Sequence, residues 1–331
     1  MTGCGPQRAT VDVMDLESLA VVLVLYRSEN VIAECVRILP SGVELVLVNN
    51  DSPDHATEVA RAIRPDATCV SSKTNRGFGG GCNLGVKATT RPVIMFLNPD
   101  ARVTRPAIGR LLERLQSLPH SVVGPAMLSP NGSRVLFRRS DSPLRDFAWE
   151  LPAASRWLPA AWRPKVGRRD TRYEKGGEVP FVDGACFVVR RTDIEAVGGF
   201  DEDFFLYGEE ISLAQRLRAL GGTAYYEPSA EAWHIGGTSA REAGTSTNYH
   251  IWRSRALMRR KCHCGVRLRY RLAMDVCALA AGGAAALLRE RHGRGPVATW
   301  WSGLCGFRNG LIGDCKLNHL YADSVPRPGS T

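Results

Sequence analysis

Long apolar runs are missing from this sequence of 331 residues. The longest, Leu272 to Leu288, is short for a bilayer span, contains Asp275 and is rich in Ala and Gly, so no transmembrane helix is expected. Met1 to Leu16 lacks the positive segment and apolar core of a signal peptide, which points to a cytoplasmic protein. The ten cysteines, scattered from Cys4 to Cys315, lack the paired spacing of a zinc site, and Cys262-His263-Cys264 stands alone. A reducing compartment suits them. No Gly-Lys-Ser/Thr of a P-loop is present. The glycine segment at Gly77 has no third glycine at position 82 and follows the third predicted strand instead of the first. A dehydrogenase or kinase is therefore not indicated. There is also no internal repeat.

What is present is an alternation of strand and helix patterns. The hydrophobic content of 44% suits a chain that buries one large domain with an appendage, or two domains. Continuous apolar runs predict buried strands at Leu19 to Leu25, Glu44 to Val48 and Val93 to Leu97, with shorter strands at Ala67 to Val70 and Val122-Val123. Helical patterns fall between them, at Ser28 to Leu39 with Ser28 as N-cap, Asp54 to Ile63, Gly81 to Ala88 and Ala107 to Leu118. Such alternation predicts a parallel sheet covered by helices on both faces. Asn131-Gly132 reads as a hairpin turn, and Ser140 to Gly177, rich in Pro, Trp and Arg, as a long irregular insertion. A strand at Phe181 to Val189 and a helical region over Asn248 to His292 follow, and the tail from Asp323 is expected to fray.

The net charge is +10 and unevenly placed. Arg253 to Arg271 holds eight basic residues and no acid. It could meet an anionic lipid, a phosphorylated acceptor or nucleic acid, or form a solvated helix face. No recognition helix, zinc finger or aromatic-studded basic strand supports a nucleic-acid partner.

Against this background Phe200 to Leu213 is acidic, with five acids between Asp201 and Glu210. Glu209 and Glu210 adjoin where an aromatic segment gives way to a helical pattern. Proton handling or metal binding is one reading. Helix N-terminal acids stabilised by the macrodipole are the other. Polar turns end three predicted strands, at Tyr26-Arg27-Ser28, Asn49 to Ser52 and Asn98-Pro99-Asp100. In an open parallel sheet ligands bind beyond these carboxyl ends. The glycines between Asn75 and Gly85 suit close backbone approach to a ligand, and His234 lies just before Gly236-Gly237.

Taken in order, Tyr26, Val48 to Ser52, Asn75-x-Gly77-Phe78-Gly79-x-x-x-Asn83-x-Gly85, Leu97 to Asp100, Val182 to Ala185, Gly198 to Phe205, Glu209-Glu210 and His234-x-Gly236-Gly237-x-Ser239 resemble the family 2 inverting glycosyltransferases, in particular the rhamnosyltransferase-like branch. The resemblance implies the GT-A fold, a Rossmann-like, mostly parallel sheet with helices on both faces, here with a C-terminal helical region. It implies an extension over 1–18, a catalytic domain over 19–247 with an insertion at about 140–177, a basic helical region over 248–322 and a tail over 323–331. By the same resemblance, Glu210 is the base that deprotonates the acceptor hydroxyl, with Glu209 its neighbour. Asp100 and His234 hold a divalent cation, Mg²⁺ or Mn²⁺. Tyr26, Asn49, Asn50, Asn75, Gly77, Phe78 and Asn83 line the nucleotide pocket, and Asp183 lies near the donor sugar.

The implied reaction is inverting transfer of a sugar, such as rhamnose from dTDP-rhamnose, to a hydroxyl acceptor of a cell-envelope glycan, lipid-linked intermediate or natural product. A catalytically silent sugar-nucleotide-binding or assembly protein of the same fold is the alternative. The basic segment adds an anionic or lipid-linked acceptor and a peripheral contact with the inner face of the plasma membrane. A composition rich in Ala, Arg and Gly and poor in Lys suits a high-GC bacterium. Two positions depart from the family pattern: Asn49 stands where Asp is usual, and the acid pair ends in Glu210 where Asp is common.

Overall fold

Strand β1 (Leu19–Leu25) is apolar at all seven positions because both of its faces are covered. Leu19, Val21, Leu23 and Leu25 point into one core and Val22 and Val24 into another. β2 (Glu44–Asn50) and β4 (Val93–Leu97) divide in the same way. On the first face lie α1 (Glu29–Ile38), α2 (Ala56–Ile63) and α4 (Arg105–Gln116). On the second lie α3 (Gly77–Lys87), the short α5 (Arg191–Ala196) and α6 (Glu209–Ala219).

This computed structural model describes residues 15–134, 175–235, 245–262 and 295–312, and scattered positions from 269 to 280. The expected insertion therefore lies almost wholly outside the described residues, as do the chain's two ends and Gly236, Gly237 and Ser239.

The sheet contains nine strands. The remaining six are β3 (Thr68–Ser72), β5 (Ala101–Val103), β6 (Val122–Leu128), β7 (Gly177–Val179), β8 (Cys186–Arg190) and β9 (Ala224–His234). The order is β3-β2-β1-β4-β8-β6-β9-β5, and β7 also pairs with β9. The β3-β2-β1-β4 half is parallel, as the alternating pattern predicts. Beyond β4 the sheet is mixed, since β8 enters antiparallel to both β4 and β6 while β9 runs parallel to β6.

Three local expectations change. Ser28 sits at the N-cap position of α1, yet its hydroxyl makes no cap bond. Its carbonyl instead accepts from the Val31 and Ile32 N–H groups. The helix expected over Gly81 to Ala88 begins earlier, at Gly77, and the glycines at 81 and 85 let α3 lie close on β1. A Cβ at Gly81 would stand 2.5 Å from the Val24 side chain, and one at Gly85 would collide with Val22. Packing onto the sheet overrides the poor helix propensity of glycine.

The third change concerns the basic segment, which lies largely on α7 (Thr245–Cys262). Much of its charge is turned inward. Arg253 is 2% exposed and donates to the Asp203 carbonyl at 2.8 Å. Arg255 and Arg259 both pair with the fully buried Asp275, and Lys261 pairs with Asp201 and Asp203. These acids are remote in sequence, so the run's partial neutralisation is not visible within it. α7 packs against α8 (Gly295–Ile312) over Trp252, Ala256, Leu304 and Phe307. No described helix is long and apolar enough to cross a membrane.

Candidate active site

The sheet topology gathers one edge. β1, β2 and β4 are parallel, so their carboxyl ends lie together, and the strand order reverses direction between β1 and β4, where open α/β sheets bind ligands. Because β8 is antiparallel to β4, its start, preceded by Asp183, reaches the same edge. β9 runs parallel to β6, and its last residue, His234, pairs with Ala101 at the start of β5. Asp100, Asp183 and His234 come from segments remote in sequence and meet here.

The His234 Nε2 lies 3.1 Å from Asp100 Oδ1. The two residues are also joined through the backbone, where the Ile235 N–H donates to the Asp100 carbonyl at 3.2 Å. Burial pulls the imidazole pKa down, but the hydrogen bond to Asp100 and the charges of Asp100 and Asp183 outweigh it, and the net shift is upward. Asp183 accepts the Ala185 N–H at 2.9 Å. Its charge raises the pKa of both His234 and Glu210.

Glu209 and Glu210 open α6 after two consecutive left-handed residues, Tyr207 at φ 66° and Gly208 at φ 95°. A tyrosine in that region is strained, and such strain gathers at functional turns. Successive helix positions diverge by about 100°, so the two carboxylates face different surroundings. Glu209 is 4% exposed, and its Oε2 has no partner among the described residues. Burial, then the Glu210 charge, push its pKa well up. Glu210 is only half-buried and accepts the Gly208 N–H at 3.1 Å. Burial and the Asp183 charge, opposed by N–H groups at the helix start, push it up to about 7. Environments that separate two neighbouring carboxyls assign them different work.

The expected nucleotide-side residues divide. Tyr26 and Asn49 are partly exposed at the ends of β1 and β2. Asn49 accepts the Ser52 N–H at 2.8 Å, while Arg27 at φ 50° and Asp51 at φ 60° bend the two loops. Ser52 and Asp54, which the sequence does not single out, tie those loops together through the N–H groups of Arg27 and Glu29, both at 2.8 Å. Asn50 is 2% exposed and its amide holds Asn75, Arg76 and Gly77. Asn75 in turn accepts the Gly77 N–H. Asn83, partly exposed, ties α3 to the segment before Phe205. Both its amide atoms hold Phe200, and its nitrogen also reaches Glu202. Phe78 packs edge-on against Phe200. Asn50 and Asn83 thus brace the segments around Gly77 and Phe200.

The Gly77 segment is joined to the acid pair. The Phe78 N–H donates to the Phe205 carbonyl at 3.0 Å. Gly77, at φ 73°, lies so close to that carbonyl that any Cβ would overlap it. Gly77→Ala is therefore expected to destabilise the fold by about 3 kcal/mol, as αL strain and overpacking add. A lowered urea midpoint with unchanged slope checks this. From the other side α7 supports the same loop: Ser254 donates to the Leu206 carbonyl at 2.8 Å, and His250 stacks on Phe205.

Residues 20–198 match the family model described as glycosyl transferase family 2. The chain belongs to this family. Similar curated proteins include the low-salt glycan biosynthesis hexosyltransferase Agl10 of Haloferax volcanii, 25% identical over 61% of this chain and 62% of that protein. Another is the N-acetylglucosaminyl-diphospho-decaprenol L-rhamnosyltransferase of Mycobacterium tuberculosis, 28% identical over 58% of this chain and 66% of that one. The chain thus matches a little under two thirds of the length of these relatives. Among solved structures, the mannosyltransferase PcManGT of Pyrobaculum calidifontis aligns over 95% of this chain and 91% of its own, with a TM-score of 0.52 at 18% identity. Family 2 membership with rhamnosyltransferase relatives and the mixed GT-A sheet with flanking helices agree with what the motifs imply.

Proposed function

We propose that this family 2 member is an inverting glycosyltransferase that moves a sugar, in the first instance a deoxyhexose such as rhamnose, from a nucleotide diphosphate to a hydroxyl acceptor. One observation carries the reading: at the start of α6 in a family 2 chain, Glu209 is buried and its neighbour Glu210 only half-buried, and burial and the Asp183 charge push the Glu210 pKa up to about 7. Asp183, in the field of His234 as well, links it to the Asp100–His234 pair.

In this reading Glu210 accepts the acceptor's hydroxyl proton as its oxygen attacks the anomeric carbon, and the nucleotide diphosphate leaves from the opposite face, which inverts the centre. Tyr26 and Asn49 flank the base at the ends of β1 and β2, and Asp183 orients the sugar. No group of three potential ligands exists among the described residues. Asp100 and His234 nevertheless fit Mg²⁺ or Mn²⁺, which complete their shells with substrate phosphate and water. When bound, the cation supplies charge that offsets the leaving diphosphate. The Pyrobaculum protein was solved with GDP-Man and Mn²⁺, which supports a nucleotide-sugar and metal reading. The name of the mycobacterial relative supports a lipid-linked acceptor. For the peripheral membrane contact, three of the segment's eight basic residues, Arg255, Arg259 and Lys261, pair with acids of the chain, which leaves the others as its support.

The test is nucleoside diphosphate release across a panel of nucleotide sugars with Mg²⁺, Mn²⁺ or EDTA. One preferred donor with metal-dependent release is expected. Absence of both binding and release for every donor would overturn the assignment.

A further inference from the structure

Helix α7 turns several cations toward α8 and the 201–206 loop, and one of them keeps a donor with no acceptor. There a cavity of about 240 Å³ is lined by Arg253, Arg260 and Lys261, with Asp203, Leu257 and Gly310 completing its wall. Three cations face one carboxylate. Counting Asp201, which also reaches Lys261, the cations remain in excess. Arg260 donates to the Gly310 carbonyl at 3.2 Å, which neutralises none of its charge. The buried Arg253 gives one N–H to the Asp203 carbonyl, whereas its Nε meets no acceptor among the described residues. A buried charged donor in that state is costly, and it marks a missing partner.

We infer that this cavity is an anion site for a phosphate-class group, a monophosphate or a diphosphate, separate from the cleft that holds Asp100 and His234. Tetrahedral oxyanions offer acceptors in several directions and match the planar fork of arginine. The Arg253 Nε supplies the donor that such an oxygen answers, and Arg260 and Lys261 supply the charge. Asp203 opposes the anion and competes for Lys261, so occupancy loosens the Lys261–Asp203 pair. The site bears on the cleft because Arg253 and Ser254 hold the carbonyls of Asp203 and Leu206, in the loop that leads into Glu209 and Glu210. The phosphate can come from the headgroup of a lipid diphosphate or from free phosphate or diphosphate.

Calorimetric titration of the full chain with inorganic diphosphate tests the inference. EDTA is kept present so that a metal-dependent cleft does not contribute. Saturable binding of one diphosphate per chain is expected. Arg260→Gln and Lys261→Gln, both at exposed positions where folding survives, should each weaken it about tenfold. Asp100→Asn should leave it unchanged. No saturable binding, binding indifferent to both α7 substitutions, or binding lost in Asp100→Asn would overturn the site. Tighter binding of a short prenyl diphosphate than of inorganic diphosphate supports the site with a lipid source. Equal binding supports it with a free one. Diphosphate bound here by a chain that releases no nucleoside diphosphate from any donor would sink the proposed reaction and leave this site standing.

Discussion

Glu210→Gln lowers turnover by roughly 10³-fold and leaves donor affinity within about twofold of the wild type, since a general base acts in the transition state and contributes typically 10²–10⁴-fold. The same substitution stabilises the protein at alkaline pH. A carboxyl whose folded pKa is raised, here from 4.5 to about 7, contributes stability that is complete below its unfolded pKa. That contribution is lost as pH rises through the folded value. Wild type therefore loses on the order of 3 kcal/mol between pH 5 and pH 8 through this group, and the glutamine variant does not. Melting curves at the two pH values check the sign: the variant melts higher at pH 8, and the two proteins converge near pH 5. A silent binding module of the same fold would show the stability effect with no turnover to lose.

The second large effect is expected at Asp100. Asp100→Asn keeps the shape and a hydrogen bond to His234 but removes the only carboxylate shown within hydrogen-bonding distance of that ring. A cation held there loses its one anionic protein ligand, and with it several kcal/mol of charge stabilisation. Donor affinity of the wild type should fall by about 10²–10³-fold when EDTA replaces Mn²⁺. In Asp100→Asn the two conditions should give the same weak affinity. Donor titrations of both proteins, with and without Mn²⁺, check this. An Asn variant that still responds fully to Mn²⁺ would place the cation elsewhere.

How much of this was legible in the sequence depended on how local the physics is. β1, β2 and β4 are unbroken apolar runs because both faces are covered, and a run of that kind is readable without its partners. The mixed half is not, because nothing local in Cys186–Arg190 states that it will enter between β4 and β6 in the antiparallel sense. β9 hides better still, carrying Tyr225, Glu227, Pro228 and Glu231 along a strand that is irregular where it passes Pro125 and Ala126 of β6. The first turn of α3, from Gly77, was not legible since it is stabilised by contact with Phe205, which is not nearby in sequence. For the same reason the bonds by which Asn83 holds Phe200 were not legible. The acidic pair was visible as a pair. Which carboxyl is buried follows only from how α6 is seated, with the Glu209 Cβ 3.5 Å from the Cβ that Gly79 lacks.

The central claim, that the half-buried Glu210 carboxylate is the base, is tested most directly by the pH dependence of kcat with saturating donor and acceptor. Turnover should rise with pH as a single ionisation with its midpoint near 7, and in Glu210→Gln the residual rate should lose that inflection. A wild-type profile flat from pH 5.5 to 8.5, or an inflection that survives unchanged in the glutamine variant, would contradict it.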